Sequence, residues 1–241
     1  MVEALSVVIP AYNEALRLPA TLRRIHAYLE EAAPDHEIIV VDDGSTDSTA
    51  ERTLEAASEL RGIRLINNEV NRGKGYSVRR GVLSSRGQLV LISDADLSTP
   101  IEEMEKLLPF VRGGFDFAIG SRGMKESDIA VRQPWHREKM GKTFNLMVRA
   151  IAVRGIRDTQ CGFKLMRGDA AREVFGKCRL DGFGFDVEVL FVARGLGYKI
   201  REVPIRWLDS PSSRVKLLSD PAKMLVDLLR IRAYQLLGYY G

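Results

Sequence analysis

The 241-residue sequence predicts an α/β fold, a mostly parallel sheet flanked by helices, and three observations lead there. Short apolar runs alternate with segments of helical apolar spacing through the first half, as successive βαβ units do. Several of those runs stop at acidic residues, and open parallel sheets bind ligands beyond the carboxyl ends of their strands. Residues that can build a core make up 45% of the chain and charged residues 28%, enough for one domain and against wholesale disorder.

Leu5 to Ile9 is an apolar run closed by Pro10, and Leu18, Leu22, Ile25 and Leu29 then recur at helical spacing. Glu37 to Val41 reads as a second strand, stopping at Asp42-Asp43-Gly44-Ser45, before a helix marked by Ala50, Leu54, Ala57 and Leu60. Ile63 to Ile66 is a third strand, Lys74 to Ser85 a helix, and Gln88 to Ser93 a fourth strand. Pro100 marks a helix start, because its missing N–H costs nothing at the first helical position. Asp116 to Ser121 closes this half as a strand. Beyond it the sequence predicts a helix from about Pro134 to Val153, a strand from Gly162 to Met166 and a helix near Asp186 to Arg194. A strand from Lys199 to Arg206 and a polar loop from Asp209 to Lys216 follow. Pro221 to Tyr240 predicts a helix with a wide apolar face, basic residues Lys223, Arg230 and Arg232, and terminal tyrosines. Packing on the domain and lying in a membrane interface both suit it.

Charge is unevenly spread. The net +4 contains a local +5 between Arg122 and Asp158, from nine Lys/Arg against four Asp/Glu, so the remainder sums to −1. That concentration points to a local anionic partner. No recognition motif accompanies the basic charge, which argues against nucleic acid. Neither an apolar run long enough to span a bilayer nor a charged-then-apolar leader is present, so a cytoplasmic protein is expected. Cys161 and Cys178 lack metal-ligand spacing and read as reduced thiols. His26, His36 and His136 share no metal-like spacing and receive no role.

Asp94-Ala95-Asp96 is the sharpest local feature: two carboxylates at the end of an apolar strand. Unpaired, they repel, and a hard cation such as Mg²⁺ or Mn²⁺ relieves the repulsion while reaching substrate phosphates. The alternative is a capped helix start, with Ser98 or Thr99 ahead of Pro100. Asp42 and Asp43 are also strand-terminal, placed to accept from a base N–H or ribose hydroxyls, or to shape a turn. Asn71-Arg72-Gly73-Lys74-Gly75 is glycine-rich and basic before a helix, so its amides and Lys74 suit phosphate, although it is not a Walker A loop.

The order of VVIPAYNE (Val7 to Glu14), EIIVVDDGSTD (Glu37 to Asp47), NRGKG and SDADLSTP (Ser93 to Pro100) resembles the family 2 glycosyltransferases with the GT-A fold. The second half is similar to the polyprenyl-phosphate sugar synthases within that family, above all the dolichyl-phosphate glucosyltransferases. GSR (Gly120 to Arg122), the Arg137 to Asn145 segment, DTQCGFK (Asp158 to Lys164), GFGFDVEVL (Gly182 to Leu190), EVPIRW (Glu202 to Trp207) and DLLRIR (Asp227 to Arg232) carry that likeness. The resemblance implies a single GT-A domain over 1–241, with a nucleotide-sugar half at 1–121, an acceptor half at 122–218 and an amphipathic helix at 219–241. It implies that Pro10, Ala11, Tyr12, Glu14, Asp42, Asp43, Lys74, Asp94 and Ala95 frame the nucleotide-sugar. Asp94 and Asp96 would hold Mg²⁺ or Mn²⁺, with Asp96 the main ligand. Arg122 and Arg137 fall where relatives hold the lipid phosphate; Arg206, Arg214 and Lys216 would meet the donor diphosphate. Asp158 is the carboxylate nearest to a catalytic assignment beside Asp96. Gly141 stands where mannosyl-transferring relatives often carry serine, Ser98 where many carry Gln, and Val203 replaces the Gln of the QxxRW motif of processive polymerases.

The implied reaction is transfer with inversion of a hexose, glucose from UDP-glucose favoured, to a polyprenyl or dolichyl phosphate. The acceptor is already ionised at neutral pH, so it needs guidance more than deprotonation. The enzyme would sit peripherally on the cytoplasmic face of a membrane. Rival readings are a family member using GDP-mannose, UDP-GlcNAc or a non-lipid glycan acceptor, and a non-catalytic homologue that only binds nucleotide-sugar.

Overall fold

A computed structural model describes residues 3–131, 148, 151–208 and 219–241. The site residues Arg137, Arg214 and Lys216, and most of the helix expected from Pro134, lie outside the described residues.

Strands β1 (Leu5–Ala11), β2 (His36–Asp42), β3 (Ile63–Asn67) and β4 (Leu89–Ile92) alternate with helices α1 (Leu18–Ala32), α2 (Thr49–Glu59) and α3 (Lys74–Leu83). A 3-10 turn, Ile101–Glu103, follows Pro100 and leads into α4 (Met104–Arg112), so the expected helix start is there but its first turn is wound more tightly. Then come β5 (Phe117–Ser121), β6 (Asp128–Val131), β7 (Lys164–Arg167), α5 (Gly168–Lys177), α6 (Phe185–Gly195), β8 (Ile200–Pro204), β9 (Arg206–Leu208) and α7 (Ser219–Leu236).

Seven strands form one sheet in the order β3-β2-β1-β4-β7-β5-β8, and β6 pairs with β9 in a small second sheet. Every pairing in the large sheet is parallel except those of β7, which runs antiparallel to β4 and β5. Both faces are covered. Val8, Ile39 and Val41 enter one apolar cluster, while Val7, Ile9, Ile38 and Val40 enter the other. Burial on both sides explains why these strands read as continuous apolar runs rather than alternating ones.

The sheet's direction builds the site. Ala11 lies opposite Asp42, and Val8 opposite Ile92, so the ends of β1, β2 and β4 open on one rim. The antiparallel strand brings its beginning to that rim: Lys164 pairs in register with Ile92 on one side and Ile119 on the other. Residues 158–163 therefore arrive beside Asp94 although they are far from it in sequence.

The second half departs from the sequence reading in four places, the first being the short strand β6, Asp128–Val131, which the sequence reading does not contain. Gly168–Lys177 forms a helix where none is expected, because its buried face is built largely from Gly168, Ala170 and Ala171, which give a faint apolar signal. The strand expected over Lys199 to Arg206 splits: Pro204 ends β8 in the large sheet, and Arg206 starts β9 beside Asp128. The final helix stops at Leu236, ahead of Gly238 in the left-handed region at φ 73°, rather than reaching Tyr240.

Candidate active site

The loops after β1 and β2 are stitched together. Asn13 Oδ1 accepts the amide of Thr46 at 2.7 Å, and the Asn13 and Glu14 amides donate to Ser45 Oγ and Thr49 Oγ1, both at 2.8 Å. Ala11 contributes its carbonyl to the Asp43 amide at 2.8 Å, holding Pro10-Ala11 against β2's end. Tyr12 is half-buried beside them, and the buried Glu14 pairs with Arg17.

Asp42 and Asp43 are both buried but differently engaged. Asp42 Oδ1 accepts from the amide and hydroxyl of Ser45, and no hydrogen bond reaches its Oδ2 among the described residues. Asp43 is saturated: Oδ1 takes Asn68 Nδ2 at 2.8 Å and the Arg72 amide at 3.0 Å, and Oδ2 takes the Gly73 amide at 2.8 Å. It anchors the loop that delivers Lys74. Gly73, at φ 104°, lies so close to Asp181 that a Cβ would come within 2.4 Å of that carbonyl oxygen.

Lys74 Nζ, at the start of α3, lies 2.6 Å from Asp94 Oδ1. Burial pushes the Asp94 carboxyl upward, but attraction to Lys74, its hydrogen bond, and the charges of Lys164 and Arg122 bring it below its ordinary value. Asp94 Oδ2 rests against the backbone of Gly162, where a Cβ would stand 2.4 Å away. The Ala95 carbonyl accepts the Thr21 hydroxyl at 2.7 Å, pinning this loop to α1. Leu97 adopts φ 47°, a conformation costing an ordinary side chain roughly 1–3 kcal/mol. The turn lets Asp96 Oδ1 accept the Ser98 amide at 3.0 Å, and no hydrogen bond reaches Oδ2 among the described residues. A half-buried carboxylate oxygen left open beside a second carboxylate suits a hard divalent cation, which takes oxygen ligands. The helix-cap alternative is not realised: Pro100 precedes the 3-10 turn with no side-chain cap.

Across the rim, Arg122 and Asp158 hold each other. Arg122 Nε and Nη2 meet the two carboxylate oxygens at 2.7 and 2.9 Å, and the Arg122 amide adds a bond at 2.9 Å. The Gln160 amide reaches Asp158 Oδ1 at 3.3 Å. Burial alone would raise this carboxyl, yet the Arg122 charge and hydrogen bonds, with Lys164 further off, hold it below its ordinary range. Arg122 also lies over the Trp207 ring, 5.5 Å from its centroid. Arg206, by contrast, is largely exposed in β9, with its guanidinium 3.4 Å from Asp128.

Three residues without a role in the sequence reading complete this half. Lys164 is buried and paired with the buried Asp186, whose carboxyl is raised by burial despite that cation. Glu202 accepts the Asp158 amide at 2.8 Å and the Ser121 hydroxyl at 2.8 Å, clamping the Asp158 loop to β5. The one sequence signal was Lys164 itself, a cation inside the apolar run Phe163 to Met166, since such a residue is almost never fully buried unpaired. Cys161 and Cys178 are free, buried thiols, and burial pushes Cys161 up to about 11, so it is unreactive at neutral pH.

Comparison with known proteins agrees with this geometry. The family model described as glycosyl transferase family 2 matches residues 6–175. The dolichyl-phosphate beta-glucosyltransferase of Dictyostelium discoideum is 36% identical over 98% of this chain and 76% of its own length. The protein of the same name from Homo sapiens is 35% identical over 97% of this chain and 76% of its own. Among solved structures, mannosyl-3-phosphoglycerate synthase from Rubrobacter xylanophilus superposes with a TM-score of 0.67 at 25% identity, covering 97% of this chain and 74% of that one. Glucosyl-3-phosphoglycerate synthase from Mycobacterium tuberculosis, crystallised with Mn²⁺ and UDP-glucose, gives 0.69 at 19% identity over 95% of this chain and 79% of that one, a likeness of fold. The acidic rim, the parallel sheet beneath it and these relatives lead to one conclusion: the chain is a glycosyltransferase and belongs to family 2.

Proposed function

We propose that this enzyme transfers glucose from UDP-glucose to dolichyl phosphate or another polyprenyl phosphate, with inversion at the anomeric carbon. The observation that carries the reading is geometric: Lys74 Nζ lies 2.6 Å from Asp94 Oδ1, Gly162 packs against Asp94 Oδ2, and the same 158–163 segment holds Arg122 through Asp158, so the acids and the arginine meet at one rim. The shared name of the Dictyostelium and human relatives supports the acceptor and the sugar.

In this reading the open Oδ2 of Asp42 meets the uracil or ribose, while Asp43 acts at one remove by fixing the loop before Lys74. Lys74 faces the diphosphate. Asp96, with Asp94 beside it, would hold a Mg²⁺ or Mn²⁺ ion, whose charge would stabilise the diphosphate leaving group. The acceptor phosphate has a second pKa near 6, so its oxygen is already anionic at neutral pH. That oxygen attacks the anomeric carbon as the bond to the β-phosphate oxygen breaks, the electron pair leaving with UDP. Arg122 holds the acceptor phosphate. Asp158, with lowered pKa and both oxygens engaged, is a positioning residue for Arg122 and not a base.

The last helix supports a peripheral membrane position, which we place at the cytoplasmic face. Met224, Leu228 and Ile231 pack inward, leaving Leu225, Val226, Leu229, Leu236 and Leu237 exposed beside Lys223 and Arg230. Among the described residues, no helix is long and apolar enough to cross a membrane. An apolar face flanked by cations suits an anionic interface.

The test is transfer of labelled sugar by purified protein with Mg²⁺ or Mn²⁺, offering UDP-glucose, GDP-mannose and UDP-GlcNAc against dolichyl phosphate and 3-phosphoglycerate. Glucosylated lipid is expected from UDP-glucose alone; transfer only to 3-phosphoglycerate would overturn the acceptor assignment. Sedimentation with anionic liposomes, reversed by salt and weakened by Leu229→Asp, tests the membrane position.

A further inference from the structure

At the opposite end of β2 the fold brings together side chains that lie apart in sequence. His26 and Glu30 sit one turn apart on α1, and His36 opens β2. Glu30 Oε1 lies 3.4 Å from His26 Nε2 and 3.9 Å from His36 Nε2, and the three ligand atoms all fall within 4.8 Å of one another. Among the described residues this is the only group of three His, Cys, Asp or Glu side chains so placed. β2 separates it from Asp42 by roughly 20 Å of strand.

We propose that His26, Glu30 and His36 form a binding site for a first-row divalent transition metal, zinc foremost, separate from the transfer site. Two features of the group point there. Neither Nε2 has a hydrogen-bond partner although both are buried, and the His36 side chain is only 1% exposed. Buried polar atoms left unpaired are rare and costly unless something fills the gap. The His36 tautomer is fixed: Nδ1 lies 2.8 Å from the Ala33 carbonyl, which can only accept, so Nδ1 carries the proton and Nε2 presents its lone pair. Metal-binding imidazoles are commonly oriented by such a contact. Arg61 donates to both Glu30 oxygens, Nε to Oε1 at 2.8 Å and Nη2 to Oε2 at 3.1 Å, so a bound metal would share Oε1 with the guanidinium or displace it.

The ligand set favours zinc. Two imidazoles and a carboxylate suit a borderline ion, whereas Mg²⁺ prefers an all-oxygen shell. In a tetrahedral site with bonds near 2 Å, ligand atoms stand about 3.3 Å apart. The His26–Glu30 edge, at 3.4 Å, already has about that length; metal binding would have to draw the His36–Glu30 edge in from 3.9 Å and bring the two Nε2 atoms, now within 4.8 Å, to the same spacing. A solvent molecule would take the fourth position. Bound metal would staple the end of α1 to the start of β2 across the turn at 33–35. The spacing His-x3-Glu-x5-His gave no sequence signal because it crosses from helix to strand.

The test uses the full chain, stripped with chelator and kept in excess Mg²⁺ so that the aspartates are occupied. Titration with Zn²⁺ by calorimetry should show one site per chain that is retained in Asp96→Asn. His26→Asn and His36→Gln should each weaken it at least 100-fold, and Zn²⁺ should raise the Tm of wild type but of neither variant. His26 is the more exposed of the two histidines, 14% against 1%, so its variant should keep the fold and read out binding even where His36→Gln fails to fold. Co²⁺ in place of Zn²⁺ should give a tetrahedral visible spectrum that His26→Asn abolishes. No Zn²⁺ binding, or binding untouched by His26→Asn, means the histidines merely pack edge to face beside Glu30 and overturns the proposal.

Discussion

The two sides of the rim are held by different physics. On the proposed donor side, the loops after β1 and β2 are fixed largely by backbone amides donating to nearby polar side chains, as around Asn13 and Asp43, with Glu14–Arg17 and Lys74–Asp94 as partly exposed ion pairs. On the proposed acceptor side, deeply buried charged pairs add to the amide contacts: Arg122 with Asp158, and Lys164 with Asp186. The difference teaches where each half is vulnerable. A loop held by amides loses one bond at a time, whereas a buried ion pair that loses one partner strands an unsolvated charge.

That contrast can be broken most forcefully at Lys164. Lys164→Met strands Asp186 in the interior and should destabilise the fold by about 3–5 kcal/mol, measured by urea denaturation. A loss below 1 kcal/mol would mean the pair is not holding this side. Next comes Asp96→Asn, which touches no ion pair and keeps an oxygen for the Ser98 amide. It should leave stability nearly unchanged while lowering kcat roughly 10²–10³-fold at saturating Mn²⁺, the size expected for losing one electrostatic contact to developing charge. Asp43→Asn sharpens the donor side. An amide nitrogen cannot accept from the loop amides, so stability should fall by about 1–3 kcal/mol, with a higher KM for UDP-glucose as the Lys74 loop loosens. The smallest effect belongs to Gly162→Ala, whose Cβ displaces the Asp94 carboxylate. A donor KM raised about tenfold with overpacking of order 1 kcal/mol is expected, and unchanged donor kinetics would show that Asp94's resting place is unimportant.

The same contrast explains what the sequence disclosed. Geometry on the proposed donor side arises from contacts at strand ends within consecutive βαβ units, so Asp42, Asp94 and Asp96 are legible from where apolar runs stop, and Lys74 from the glycine-rich basic stretch ahead of α3. Acceptor-side geometry depends on β7 entering antiparallel between β4 and β5, which no local pattern announces. Arg122 and Asp158 were each singled out, but not their mutual grip; Asp186 and Glu202 lay unnoticed inside recognised stretches. Helix α5 hid behind alanines and glycine, and β9 behind the apparent continuity of Glu202 to Trp207. His26 and His36 needed the fold to meet at all.

The account rests on Arg122 presenting an already ionised acceptor while Asp158 fixes its orientation. The most direct test is steady-state kinetics of Arg122→Lys, which keeps the charge but loses the two-pronged contact. The KM for dolichyl phosphate should rise at least tenfold while UDP-glucose affinity stays within about twofold of wild type. A loss of donor affinity with an unchanged acceptor KM would contradict it.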